Sequence, residues 1–163
     1  MARDVILIAV LIFSLGLGFL AIHFMINTAL DRMMAIPTIM ESDAAIDAFQ
    51  ETKDLTERFD YIIFMVFIGL VLSLMITGWF VGGHALFMII YFIIVLITVV
   101  VSTIFANIWD AFSQASVFGT TVASFPITSN ILSNLPVYMA VIGLLGILVM
   151  FAKPYFMGGQ EQW

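Results

Sequence analysis

The sequence predicts an all-α integral membrane protein with four transmembrane helices and a helical cap on one side. Three observations predict it. Of the 163 residues, 63% are hydrophobic and 10% charged, against roughly 45–50% and about 25% in soluble domains. No Asp, Glu, Lys or Arg occurs between Tyr61 and Trp109. The charges that do occur are gathered, with eight acids and three bases between Asp31 and Asp60. That segment is too short for a soluble domain of its own, so 1–163 reads as a single membrane domain.

The first apolar run, 5–30, is read as the first crossing. A signal-peptide core is about 7–15 residues and leads to a small-residue cleavage site. This run is longer, and no Ala-x-Ala follows it. At about 1.5 Å per residue it reaches about 39 Å, enough for a hydrocarbon core of about 30 Å.

Residues 31–60 form the first cap segment. Pro37 is expected to end the first helix. Thr38 and Glu41 have the spacing of a capping box, in which each side chain satisfies a free backbone donor. Ile46, Phe49 and Phe59, with Leu55 beside them, mark a narrow apolar stripe on an otherwise polar helix. That helix is expected to run unbroken into the second crossing, 61–81.

The long uncharged run must contain a reversal. As one helix, 61–106 would be about 69 Å long, more than twice the hydrocarbon core. Gly82 and Gly83 are the break, because glycine adopts left-handed backbone angles freely and stops helices. Trp79 and His84 flank the turn and suit an interface. The third crossing is then 84–106.

Residues 107–135 form the second cap segment. It carries one charge, Asp110, among many Ser, Thr and Asn. Its first part is expected to prolong the third helix, and 119–126 to be a loop. The last crossing is 136–152, with Pro136 in its first turn or as a kink in a helix starting near Ile131. Lys153 can snorkel from its end, and Pro154 is expected to stop it. Four crossings put both cap segments on one side. Two bases near the membrane on the termini side (Arg3, Lys153) face three on the cap side (Arg32, Lys53, Arg58), which leaves the orientation open.

The chemistry available is sparse. There is no cysteine, which removes disulfides, thiolate metal sites and thiol catalysis. His23 and His84 lack the partners of a metal motif, and no catalytic or cofactor-binding set emerges. His23, with Asn27 one turn away, is a polar candidate inside a crossing; packing through a neighbouring carbonyl is the simpler reading. Asp110 either lines an ion path or bonds the cap, with Arg58 as a possible partner. No basic stripe is present, so nucleic acid is disfavoured as a ligand.

Small residues recur at helical spacing, as Gly69, Ser73, Thr77, with Gly78 and Gly82, and as Gly143 and Gly146. Ser14 and Gly18 do the same in the first helix. Such rows let membrane helices approach closely, within a chain or between copies. Phe49, Phe118, Phe125 and Ile127 are expected on a partner-docking face of the cap. Beyond Ser, Thr, His23 and Asn27 the crossings carry few polar groups away from their ends, which argues against a dedicated transporter. The expected role is a non-enzymatic structural or assembly subunit in a lipid bilayer, bound to other complex or capsid subunits or to itself. Alternatives are a small oligomeric channel or membrane-permeabilising protein and, further off, a lipid-acting enzyme.

Overall fold

A computed structural model describes residues 2–81 and 85–156 of the chain. Among the described residues eight helices follow one another: α1 (Ala2–Met34), α2 (Pro37–Met40), α3 (Asp43–Glu57), α4 (Phe59–Val81), α5 (Ala85–Ser113), α6 (Gly119–Ala123), α7 (Pro126–Ser133) and α8 (Leu135–Phe156). Four of them, with α4 continuing α3, are long and apolar enough to cross a membrane. The chain is an all-α membrane protein.

Proline sets the first boundary. Pro37 disfavours helical angles at the residue before it, and Ile36 is extended, at φ −80° and ψ 123°. This ends α1 and lets Pro37 open α2 from its first position. The expected capping box is therefore not formed. Thr38 already lies within α2, and Glu41 is the residue that closes that short helix. Ser42 precedes α3 without capping it through its side chain.

Between α3 and α4 only Arg58 intervenes, and it keeps right-handed angles, φ −69° and ψ −11°. Its carbonyl accepts from both the Tyr61 and the Ile62 amides. The expected unbroken passage from cap to membrane thus holds but for this one joint. The apolar stripe turns inward, with Ile46, Phe49 and Phe59 half-buried. Thr56 and Asp60 are buried, whereas Leu55 is exposed.

Two further boundaries depart from expectation. Residues 119–126 are not simply a loop, since 119–123 form α6. The last helical run starts at Pro126 and bends at Asn134 before α8. Pro136 explains the bend, because it has no amide to offer the carbonyl four residues back and its ring crowds that carbonyl. At the other end, α8 runs to Phe156, two residues beyond Pro154. Proline there costs one backbone bond in the last turn rather than ending the helix.

Around the bundle the order is α1, α4, α8, α5, each packed on the next, with α5 closing on α1. Gly143 faces Val95 and Gly146 faces Tyr91, so α5 and α8 run antiparallel. Phe13 stacks on Phe105 with centroids 4.5 Å apart, and Phe24 meets Phe118 edge-on at 5.0 Å. This sets α1 parallel to α5. The consecutive helices α4 and α5 are opposite corners of the bundle, not packed neighbours. The proposed turn residues Gly82 and Gly83, with His84, lie outside the described residues.

Both cap segments meet at one end. Here α3 packs on α1 and α4, with Lys53 paired to Asp31. Between the second and third crossings at this end lies α7. It touches α1, α4, α5 and α8. The outward faces of the crossings remain apolar, with Met65, Leu72, Ile76, Ile93, Val100 and Leu148 among the exposed residues, as lipid contact requires.

Candidate functional site

The buried polar groups of this protein concentrate where the cap joins the bundle. The central one is Asp60, which is 2% exposed. Its partner is the start of α7. A helix leaves its first backbone N–H groups without intrahelical acceptors. In α7 the first residue is Pro126, which has no N–H. The next two donors are Ile127 and Thr128. Ile127 N–H donates to Asp60 Oδ2 at 3.0 Å, and Thr128 N–H donates to Oδ1 at 2.7 Å. The Thr128 hydroxyl donates to the same Oδ1 at 2.6 Å. Ser129 N–H then begins the helix's own ladder on the Phe125 carbonyl. One carboxylate, supplied by α4, thus completes the whole N-terminus of α7, and its negative charge suits that end of the helix dipole.

His23 lies beside this junction, 1% exposed. The Thr56 hydroxyl gives its proton to the Lys53 carbonyl at 2.8 Å. The imidazole is then the donor to Thr56, through Nδ1 at 2.8 Å. Its Nε2 accepts from Asn27 Nδ2 at 2.8 Å. Both ring nitrogens are used and the ring is neutral. Phe125 sets its ring edge-to-face with His23 at 5.1 Å. Asn27 keeps a buried Oδ1 with no partner.

The C-terminal end of α5 ties down the flank of α7. Trp109 Nε1 donates to Ser129 Oγ at 3.3 Å, and Ser133 Oγ donates to Asp110 Oδ1 at 2.9 Å. Ser129 and Ser133 are one turn apart, matching the adjacent Trp109 and Asp110. Asp110 therefore bonds the cap, as one of its two readings held, but through Ser133. The Arg58 pairing is not formed; Arg58 is exposed at the α3–α4 joint. From α8, the Tyr138 hydroxyl donates to Asn130 Oδ1 at 2.9 Å.

The other expected residues separate into packed and open positions. Gly143 and Gly146 are packed, since a methyl on either would strike Val95 or Tyr91. Gly78 is buried. Gly69 and Ser73 face outward, with nothing within 4 Å of a methyl placed on Gly69. Thr77 bonds only its own helix, at the Ser73 carbonyl. In α1 the packed glycine is Gly16, against Leu132 and Thr128, and not the Ser14–Gly18 row, which is exposed. Gly82 and His84 lie outside the described residues.

The docking face is corrected in part. Phe125 is fully buried on His23. Phe118 stacks on Phe112 at 4.1 Å. Both rings serve the cap's own core, because α6 and α7 fold back onto the bundle. Phe49 and Ile127 are half-buried.

Sequence reasoning counted Asp60 as one more cap acid. A signal for its role was present. Pro126 opens a helix behind Phe125, a residue that cannot cap it, so an acceptor had to come from elsewhere. Among the described residues no three of His, Asp and Glu gather as metal ligands would. What the junction does chemically is bind: Asp60, His23 and Asp110 each engage donors or acceptors of the protein itself. No family model matches the chain, and comparison with curated proteins and with solved structures found no match.

Proposed function

We propose that this chain is a non-enzymatic structural subunit of a larger membrane assembly, either a multi-subunit complex or the lipid membrane of a virus particle. One observation carries the reading. Asp60 and His23, the buried ionisable groups at the junction, bond inward to hold cap on bundle. A catalytic acid or base must instead reach a substrate. The protein spends its buried polar chemistry on shape.

A shaped cap needs an outer surface to offer. On α3, Asp43, Asp47, Glu51 and Asp54 recur at intervals of four, four and three, and all are exposed. They form an acidic stripe along one face. A partner with basic side chains fits it.

The test is purification of the tagged full chain in mild detergent, followed by mass spectrometry of what accompanies it. The expected result is a membrane or coat protein at fixed ratio, lost when Asp47 and Glu51 become Lys. A lone homo-oligomer that conducts ions in liposomes would replace this reading with the channel. That second reading draws on the outward Gly69 and Ser73, where another copy's helix could approach closely.

A further inference from the structure

We infer that the flank between α4, α7 and α8 holds one glycerolipid, with an acyl chain in the groove and an ester carbonyl on the Asn130 amide. A groove of about 440 Å³ lies between α4, α7 and the start of α8. Ligand sites are commonly about 300–1,000 Å³. Phe64, Phe67 and Ile68 line it from α4, Ile127 and Ile131 from α7, and Tyr138 from α8. This is independent of whether the chain is a subunit of anything.

The surroundings decide the occupant. The α4 wall lies about one to two turns from Asp60, roughly 6–12 Å further along the helix. It belongs to a membrane-spanning helix. Exposed Met65, Leu72, Val137 and Val141 stand on these same stretches of α4 and α8. The groove therefore opens toward hydrocarbon at the cap edge of the bilayer.

The polar end decides the class. Asn130 lines the groove, and Tyr138 O–H occupies its Oδ1, so its Nδ2 is the donor the side chain has to offer there. No Asp, Glu, Lys or Arg lines the groove. A neutral acceptor is what such a donor selects, and at the edge of the hydrocarbon that is the ester carbonyl of a glycerolipid. Apolar walls with one placed polar group are the usual form of such sites.

The experiment uses the full chain in liposomes containing phosphatidylcholine with a photoreactive acyl chain, raised in steps of mole fraction. Cross-links are mapped by mass spectrometry. The expected label concentrates on 64–68 and 127–131 and saturates at low mole fraction. Ile68→Trp fills the groove mouth and should lower that label at least fivefold, while label on exposed Leu144 and Leu148 stays constant. Asn130→Ala should shift saturation to higher mole fraction. Label spread over all exposed apolar residues in proportion to the reagent would overturn the proposal, and so would an unchanged pattern in Ile68→Trp. If that variant misfolds, the saturation behaviour of the unaltered chain decides alone.

Discussion

Asp60 and Thr128 are joined twice, because one carboxylate oxygen accepts both the amide and the hydroxyl of the same residue, at 2.7 and 2.6 Å. The two residues are 68 positions apart. Together with the Ile127 amide, this contact fastens the second cap segment to the second crossing.

Asp60→Ala is expected to destabilise the fold by about 3 kcal/mol or more. It leaves two buried backbone donors and a hydroxyl without acceptors, at about 1–3 kcal/mol for each unsatisfied group. Thermal unfolding in detergent, followed by circular dichroism, measures it. Hydrogen exchange should rise first at Ile127 and Thr128. A variant that unfolds like the parent would contradict the capping role.

Thr128→Val isolates the hydroxyl. The amide bond to Asp60 persists and the side-chain volume is kept, so the expected loss is smaller, about 1–2 kcal/mol. In a double-mutant cycle with Asp60→Ala, the second substitution should add little to the first, because the two share one interaction. Simple additivity would show that the hydroxyl acts elsewhere.

His23→Leu strands the Asn27 amide, which donates to Nε2. The expected cost is about 1–3 kcal/mol from that unsatisfied group. Adding Asn27→Leu removes the stranded group and should return part of the stability. Thr56 keeps its bond to the Lys53 carbonyl, so the double variant leaves it anchored. Equal stability of the single and double variants would argue that Asn27 finds another partner.

Gly146→Ala and Gly69→Ala should act in opposite ways. A methyl at Gly146 collides with the Tyr91 hydroxyl, and overpacking costs about 1–3 kcal/mol. A methyl at Gly69 meets open space, and alanine favours a helix by about 0.8–1.0 kcal/mol over glycine. Unfolding measurements on both variants compare the two faces directly. A destabilised Gly69→Ala would mean that this face is covered by another copy.

Much of the architecture was legible because hydropathy and length act locally. An uncharged run from Tyr61 to Trp109 is too long for one crossing, and no tertiary knowledge is needed to see it. Capping and packing are different. Thr38 and Glu41 matched a motif, but Pro37 one position earlier claimed the helix start. The Ser and Thr content of 119–126 suggested a loop, although α6 gains its place from packing on α1. Asp60 could not be distinguished from the seven other acids of the first cap segment by composition. Its role arises only when α7 arrives with a proline at its first position and no cap of its own. Gly143 and Gly146 were readable as packing residues, but Gly69 has the same chemistry and faces outward. Spacing identifies a row of small residues and not the side from which it is covered.

An eight-residue helix grips every crossing: α4 through Asp60, α5 through Trp109 and Asp110, α8 through Tyr138, and α1 through Leu132 over Gly16. Fraying at this end cannot proceed one strut at a time. Withdrawal of α7 frees four attachments together, so the cap half of the molecule melts as one cooperative block, sharp in temperature and steep in denaturant.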